Sequence, residues 1–357
     1  MASLTVNYQL QQQALMLDVE LELPENGITV LFGPSGAGKT TLLRCIAGLE
    51  RKGAGQITLG VQCWQSATDF LPVHKRSLAY VFQEASLFEH LTVEKHLQYS
   101  IKRSKKAFDV RFYQALISEL ALKPLLTRMP VRLSGGEKQR VAIAWALLQQ
   151  PDVLLMDEPL ASVDAQSRSQ ILNYLDLFIQ QQGILCLYVT HSVKEVTRLA
   201  DHLLIMDNGC ITARGNLQSP EILNALQVDE EGQLFTLLNG TVTSIDRDYQ
   251  LATVDVSGLD VRLTAPGLSI DQVVRLWLNA KDISLCIDKP EATSILNVLP
   301  CEVVSCEVTD NQQQALVVLK QQDTELKALV TRYSAEKLQL RPGMPLYAQV
   351  KALSVIQ

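Results

Sequence analysis

The sequence predicts an α/β domain built on a parallel sheet, followed by an all-β domain. Short apolar runs at residues 28–32, 153–156 and 185–189 alternate with segments of helical periodicity, and this order is typical of a parallel sheet covered by helices. In the last third of the chain the pattern changes to short alternating runs separated by turn residues, which indicates a small barrel. A length of 357 residues favours two hydrophobic cores, so we expect domains at residues 1–230 and 231–357.

The composition argues against several classes of protein. A net charge of −6 without a basic stripe disfavours a nucleic-acid partner. The seven cysteines are odd in number and form no Cys-x-x-Cys pair, which disfavours a disulfide framework and a zinc site and fits reduced thiols in the cytoplasm. No apolar run approaches the ~20 residues of a membrane-spanning helix. A role at a membrane would therefore require a spanning partner.

Residues 33–41 match the phosphate-binding loop G-x-x-x-x-G-K-[ST]. They follow a predicted strand and open a predicted helix, where backbone N–H groups and the positive end of the helix dipole favour phosphate. Lys39 is placed to neutralise the β- and γ-phosphates, and Thr40 is placed to bind Mg²⁺ through its hydroxyl. The candidate nucleotide-binding residues of this loop are Gly33, Pro34, Ser35, Gly36, Ala37, Gly38, Lys39, Thr40 and Thr41.

Two acidic residues follow the predicted strand at 153–156. Asp157 is placed to hold Mg²⁺ through water. Glu158 is placed to polarise the water that attacks the γ-phosphate. An Asp-Glu pair after an apolar strand is weak evidence by itself. Together with the phosphate-binding loop, it predicts an ATPase site.

A longer motif narrows the class of ATPase. Residues 133–140, Leu-Ser-Gly-Gly-Glu-Lys-Gln-Arg, resemble the signature motif of ABC ATPases. Gln83 resembles the glutamine of the family's Q-loop, residues 159–164 resemble its D-loop, and His191 resembles its switch histidine. The motifs occur in the order of the family, and the resemblance extends over residues 4–223.

The resemblance implies that the chain works as a homodimer. Ser134, Gly135 and Gly136 would begin a helix whose N–H groups form a second anion site. In the family this site faces the γ-phosphate of ATP held by the other subunit. A head-to-tail dimer would therefore bury two ATP molecules.

The same resemblance implies roles for three further residues. His191 would contact the γ-phosphate and act with Glu158 in catalysis. Gln83 would sense Mg²⁺ and relay its state to a membrane partner, and Asp164 of the D-loop would complete the nucleotide site. The implied cofactors are ATP and Mg²⁺, and the implied magnesium-site residues are Thr40, Gln83 and Asp157.

Two positions depart from the pattern of the family. Trp145 occupies a place where arginine is usual, and we expect it to alter helix packing rather than nucleotide binding. An aromatic residue that stacks on adenine is expected before the phosphate-binding loop. Tyr8 is the early aromatic residue of this chain, and a position in a strand core is the alternative for it.

Residues 292–356 resemble the molybdate-binding Mop domain. The run Thr-Ser-Ile-Leu-Asn-Val-Leu that starts at Thr293 is similar to the opening of that domain, and residues 347–354 are similar to its closing strand. Hydroxyls and a cation from these two runs suit a tetrahedral dianion. Leu296 stands where arginine is usual, so a domain that only stabilises the dimer is the alternative. The molybdate candidates are Ser294, Lys351 and Ser354.

Two sets of residues in the all-β region resemble each other. This similarity predicts two packed barrel halves, with chance similarity of β-rich sequence as the alternative. The first set is Val242, Ser244, Trp277, Lys281 and Ser284, and the second set is Val303, Ser305, Tyr347, Lys351 and Ser354.

These motifs favour a subunit that hydrolyses ATP to power molybdate import. The first domain also resembles the ATPases of molybdate ABC importers at residues 26–29 and 188–192. The resemblance implies integral membrane permease subunits, a periplasmic solute-binding protein, and a peripheral position on the cytoplasmic face of the inner membrane. Import of sulfate or another small anion is one alternative, and a molybdate sensor is another. Molybdate and tungstate are not distinguished.

Overall fold

The computed structural model describes most of the chain. The described residues are 3–12, 15–104, 107, 109–217, 219, 221–222, 226, 234–264, 267–309, 312–322, 324–351 and 353–356, with the backbone alone at 165, 166, 354 and 356. The chain divides into two units, Met1–Ala225 and Leu226–Gln357. The boundary predicted between residues 230 and 231 lies outside the described residues.

The first unit contains one ten-stranded sheet. Its strand order is β5-β4-β1-β2-β10-β9-β3-β8-β7-β6. The strands are β1 (Leu4–Gln12), β2 (Leu15–Leu23), β3 (Gly27–Phe32), β4 (Ala54–Leu59), β5 (Gln62–Gln65), β6 (Leu78–Val81), β7 (Val153–Asp157), β8 (Leu185–Thr190), β9 (His202–Asp207) and β10 (Cys210–Gly215).

Helices alternate with these strands, which confirms the α/β prediction. They are α1 (Lys39–Ala47), α2 (Val93–Arg103), α3 (Val110–Glu119), α4 (Gly135–Leu148), α5 (Ala165–Gln182) and α6 (Val193–Leu199). Single 3₁₀ turns lie at Val73–Lys75, Lys123–Leu125 and Pro130–Arg132. Within the described part of the chain, no helix has both the length and the apolar character needed to cross a membrane.

The parallel part of the sheet positions the functional loops. β3 pairs in parallel with β8 and β9, and β7 pairs in parallel with β6 and β8. Every residue of β7 and β8 is buried, as expected of strands that are covered on both faces. The carboxyl ends of parallel strands lie at one edge of the sheet. The loops that follow β3, β6, β7 and β8 therefore meet there.

Trp145 lies on α4, where that helix faces α2. Its backbone carbonyl accepts a hydrogen bond from the Ser100 hydroxyl at 2.6 Å, and its ring centre lies 6.3 Å from that of the buried His96. The indole N–H of Trp145 is buried without a hydrogen-bond partner among the described residues. Trp145 thus contributes to packing between helices, as the sequence predicts.

The described residues of the second unit form two antiparallel sheets of five strands each, which confirms the all-β prediction. The sheet orders are β13-β12-β11-β14-β20 and β15-β19-β16-β17-β18. The strands are β11 (Phe235–Asp246), β12 (Leu251–Val256), β13 (Leu259–Thr264), β14 (Val273–Asn279), β15 (Ile283–Cys286), β16 (Asn297–Val308), β17 (Gln314–Gln321), β18 (Thr324–Thr331), β19 (Pro345–Val350) and β20 (Ser354–Ile356). A 3₁₀ turn spans Ala280–Asp282, and the short helix α7 spans Arg332–Lys337.

The two sheets are related by an internal repeat. The β11–β12 ladder shifts register between Val242 and Ser244, and the β16–β17 ladder shifts register between Val303 and Ser305. These are the residues that the sequence similarity equates. Each half also supplies its last strand to the other sheet, because β15 pairs with β19 and β20 pairs with β14. The exchange explains why the two halves share one apolar core.

Side-chain clamps join the halves at related positions. The buried Asn297 accepts a hydrogen bond from the Arg262 N–H and donates one to the Arg262 carbonyl, both at 2.7 Å. In the other direction, Thr236 Oγ1 accepts a hydrogen bond from the Lys327 N–H at 3.3 Å. Each clamp satisfies backbone groups of a strand in the opposite sheet, which stabilises the register of that strand.

Candidate active site

The phosphate-binding loop connects β3 to α1. Gly38 precedes the helix with a φ of 101°, a left-handed conformation that favours glycine. The ammonium group of Lys39 folds back over the loop and donates hydrogen bonds to the carbonyls of Gly33 and Pro34, each at 2.8 Å. Lys39 is buried, and burial lowers the pKa of its ammonium group. The cation is thus held at the centre of the loop, where phosphate oxygens can replace the two carbonyls.

Asp157 lies at the end of β7, directly beside α1. Its Oδ1 accepts a hydrogen bond from the Thr40 hydroxyl at 3.0 Å, and its Oδ2 accepts one from the Tyr80 hydroxyl at 3.2 Å. Burial raises the pKa of this carboxyl group, and the two hydrogen bonds oppose that rise. The sequence analysis did not identify Tyr80, whose position on β6 becomes apparent only from the strand order.

The donor set at this point fits Mg²⁺. The oxygens of Thr40 and Asp157 are hard ligands that converge within hydrogen-bond distance. No group of three or more His, Cys, Asp or Glu residues in the described part of the chain could hold a metal ion by itself. This arrangement suits Mg²⁺, which is commonly bound by one or two protein ligands together with substrate phosphates and water.

Glu158 is held between residues from two other loops. Its Oε2 accepts a hydrogen bond from Gln83 Nε2 at 3.1 Å, and its Oε1 lies 3.1 Å from His191 Nδ1. The ring nitrogen of His191 does not have hydrogen-bond geometry to this oxygen. Glu158 has a φ of 43°, which is uncommon for a non-glycine residue, and its N–H donates to the carbonyl of Val189 at 3.0 Å. The structure therefore brings Gln83, Glu158 and His191 together.

The signature residues form the start of α4. Ser134 caps this helix in a reciprocal capping box, in which its Oγ accepts a hydrogen bond from the Glu137 N–H and its own N–H donates to Glu137 Oε2 at 2.7 Å. A Cβ atom added to Gly136 would lie 2.9 Å from the carbonyl oxygen of Ser162, within residues 159–164. The missing side chain thus lets the signature helix approach that segment of the same chain.

Asp164 caps a helix, and Tyr8 belongs to the apolar core. Asp164 caps α5, where its Oδ1 accepts a hydrogen bond from the Ser167 N–H at 2.9 Å. Tyr8 is fully buried in the core of the first unit, and its hydroxyl accepts a hydrogen bond from Gln65 Nε2 at 3.0 Å. The alternative of a strand core position is therefore the correct one for Tyr8, which is not exposed for stacking on adenine.

The second unit contains a cavity of about 380 Å³ whose lining is half polar and half apolar. The polar residues of its lining are Lys281, Ser284, Thr331, Ser334 and Lys337, and the apolar ones are Ile283, Leu285, Leu329, Val330 and Leu338. Lys281 and Ser284 are the residues that the internal repeat equates with Lys351 and Ser354. The anion site predicted from the sequence lies in the second repeat, whereas this cavity contains the equivalent residues of the first.

The three molybdate candidates lie elsewhere in the second unit. Ser294 and Lys351 are exposed and flank the same end of the β16–β19 ladder, which ends at the pair Asn297–Val350. Ser354 lies on β20, where its backbone pairs with Trp277. Among the described residues, the lining of the cavity includes neither Ser294 nor Lys351.

The fold and the site define an ATP-binding cassette of an ABC transporter. A family model described as ABC transporter matches residues 16–161, and a TOBE domain model matches residues 293–357. The second match covers the later of the two repeats in the all-β unit.

Curated relatives extend over nearly the whole chain. The "Molybdenum import ATP-binding protein ModC" of Saccharophagus degradans is 43% identical over 96% of this chain and 95% of that protein. The protein of the same name from Pseudomonas fluorescens is 43% identical over 99% of both chains, and "ModC 1" of Azotobacter vinelandii is 42% identical over 95% of both. The chain belongs to this family of molybdenum import ATP-binding proteins.

Solved structures resemble the chain at the level of fold. A structure titled "Structure of ATP binding subunit of ABC transporter" has a TM-score of 0.53 and 25% identity, covering 61% of this chain and 90% of that one. A dimeric structure of the ATP-binding cassette MJ0796 with ADP and phosphate has a TM-score of 0.53 and 22% identity, covering 61% of this chain and 99% of that one.

The two signature glycines provide a matched pair of substitutions. We expect Gly136→Ala to lower the free energy of unfolding by about 1–3 kcal/mol, because the new methyl group would overlap the Ser162 carbonyl. The methyl group of Gly135→Ala would meet Ser162 Cβ at an ordinary 3.6 Å, so this control should be neutral or slightly stabilising. Thermal unfolding of the nucleotide-free chain measures both. A Gly136→Ala protein that unfolds no earlier than Gly135→Ala would contradict the close approach.

Proposed function

We propose that this chain hydrolyses ATP to drive the import of molybdate. The observation that carries the proposal is the near full-length similarity to proteins named for molybdenum import. It is supported by the edge of the sheet, where the phosphate-binding loop, Asp157, Glu158 and His191 lie together. Sulfate import remains the closest alternative for the cargo.

Each residue at this edge has a chemical task in the proposed hydrolysis. Lys39 exchanges the carbonyls of Gly33 and Pro34 for phosphate oxygens, so its charge is available without a large movement of the loop. Thr40 and Asp157 would hold Mg²⁺, which would supply charge neutralisation at the phosphates. Glu158 accepts a proton from the attacking water, and His191 contacts the γ-phosphate.

Both carboxyl oxygens of Glu158 lie against neighbouring side chains. One carboxyl oxygen is bonded to Gln83 and the other lies against His191. A general base needs an oxygen within hydrogen-bond reach of its water. In our proposal Gln83 turns away from Glu158 when the nucleotide is bound. This movement couples the base to the membrane partner that the Q-loop serves.

The proposal includes a homodimer within a larger assembly. The signature residues would bind the nucleotide of the second copy through the hydroxyl of Ser134 and the N–H groups of Gly135 and Gly136, which begin a helix and attract anions. Permease subunits in the inner membrane and a periplasmic solute-binding protein would complete the importer. The chain would lie on the cytoplasmic face of that membrane.

The cargo is tested on the assembled complex. We expect ATP hydrolysis in proteoliposomes to rise several-fold when the solute-binding protein carries molybdate, and to stay at the basal rate with sulfate, because only the cognate loaded partner stabilises the closed dimer. Stimulation by sulfate alone would refute molybdate as the cargo, but it would leave the proposed ATP hydrolysis intact. Tight molybdate binding without any ATP hydrolysis by the complex would favour a sensor.

We also propose that the second unit binds an oxyanion in the cavity lined by Lys281 and Lys337. Two cations and three hydroxyls match the charge and hydrogen-bonding capacity of a tetrahedral dianion. The site at Ser294, Lys351 and Ser354 offers one cation, and Leu296 beside it is exposed and apolar. The cavity is therefore the stronger of the two candidates.

Titration calorimetry of the full-length chain with molybdate distinguishes the two sites. We expect Lys281→Met combined with Lys337→Met to weaken binding by about tenfold or more, because the charge-assisted hydrogen bonds to the dianion are lost. Lys351→Met should leave the affinity unchanged. The reverse result would move the site to Ser294, Lys351 and Ser354. If the unaltered chain does not bind molybdate, the second unit has no oxyanion site, and stabilisation of the dimer would be its remaining proposed role.

A further inference from the structure

A buried glutamate lies directly behind the loop that carries His191. Glu195 is on the first turn of α6 and is only 4% exposed. Its Oε2 accepts hydrogen bonds from the Tyr188 hydroxyl at 2.9 Å and from the Thr190 hydroxyl at 2.8 Å. Both donors belong to the last residues of β8. The carboxyl group thus joins α6 to the end of the strand that precedes His191.

Thr190 transmits this contact to the backbone beside His191. Its Oγ1 donates to Glu195 and accepts a hydrogen bond from the Ser192 N–H at 2.9 Å. Thr190 and Ser192 flank His191 on either side and are both buried. The position of the His191 backbone is therefore fixed by one hydroxyl, whose own orientation is set by Glu195.

The other oxygen of Glu195 faces a residue of α5. Arg168 Nε lies 3.9 Å from Glu195 Oε1, an ion-pair distance that is longer than a hydrogen bond. The same guanidinium group donates through Nη2 to the carbonyl of Val163 at 3.3 Å. Val163 follows Ser162, the residue against which Gly136 packs. A continuous chain of contacts thus runs from the His191 loop to the signature helix.

We propose that Glu195 is a positioning residue that sets the His191 loop and couples it, through Arg168, to the segment at residues 159–164. The inference rests on the role proposed above for His191. Glu195 itself is buried and bonded to the end of β8. It acts by holding Thr190 and by facing Arg168, so that a shift of the signature helix or of this segment reaches the group that contacts the γ-phosphate.

The test measures ATP hydrolysis by the full-length chain. We expect Glu195→Gln to lower kcat about tenfold while KM for ATP changes less than about twofold, a loss typical of coupling between contacting residues. The amide cannot both accept from the two hydroxyls and present an acceptor to Arg168. Thr190→Val, which removes the hydroxyl that reaches Ser192, should reproduce the loss, and Thr190→Ser should restore activity.

Arg198 supplies a matched control. It also joins α6 to α5, because it donates hydrogen bonds to Ser169 and Asn173, but it lies one turn farther from the His191 loop. Arg198→Met should leave kcat and KM unchanged. Arg168→Met should lower kcat in the same way as Glu195→Gln.

A double-mutant cycle decides whether Glu195 acts through His191. In a His191→Ala background, we expect Glu195→Gln to change kcat by less than about twofold, because the group it positions is gone. An undiminished tenfold loss in that background, or unchanged kcat in the single variant, would overturn the inference. If Glu195→Gln does not fold, the same cycle with Thr190→Val decides. Normal hydrolysis by His191→Ala alone would instead refute the proposed role of His191.

Discussion

The active edge of this protein depends on the parallel pairing of β7 with β8. The pairing ends at Asp157 opposite Val189 and is extended by the hydrogen bond from the Glu158 N–H to the Val189 carbonyl. This contact accompanies the positive φ of Glu158, which turns the chain out of the strand and directs its carboxyl group toward the loop after β8. Non-glycine residues in this conformation cost roughly 1–3 kcal/mol and commonly occur at functional sites. The two buried strands supply the packing that maintains it.

The first unit is organised by parallel strand pairing, whereas the second unit is held together by the exchange of strands between its two halves. The last strands, β15 and β20, cross to the opposite sheets, and the Asn297 and Thr236 clamps satisfy backbone groups across the same junction. Neither half has a closed core alone, since the apolar cluster draws on both sheets. The cavity with Lys281 in its lining lies against β15 and β18, where the strand of one half meets the sheet of the other. A ligand bound there would stabilise the exchange itself.

The sequence was sufficient to predict the functional loops at the carboxyl ends of the parallel strands, because each motif specifies its own local backbone conformation. The phosphate-binding loop specifies a strand, a turn and a helix, and Asp157 is marked by the apolar strand before it. The contact between Gln83 and Glu158 was not predictable in this way, since it joins residues 75 positions apart through the strand order. Glu195 gave no signal because a glutamate on a short helix usually faces solvent. The cavity at Lys281 was not predictable from the sequence, since its lining joins residues 281–285 to residues 329–338 through the exchange of β15.

The decisive measurement is the uptake of labelled molybdate by cells whose only copy of this chain carries Glu158→Gln. We expect molybdate uptake to be lost, because the base of the proposed hydrolysis is removed. Sulfate uptake should be unchanged, because it does not depend on this chain. Asp152→Asn is the matched control, since Asp152 precedes β7 at the opposite end of the strand and is exposed. Normal molybdate uptake with Glu158→Gln, or loss of sulfate uptake in its place, would contradict the account.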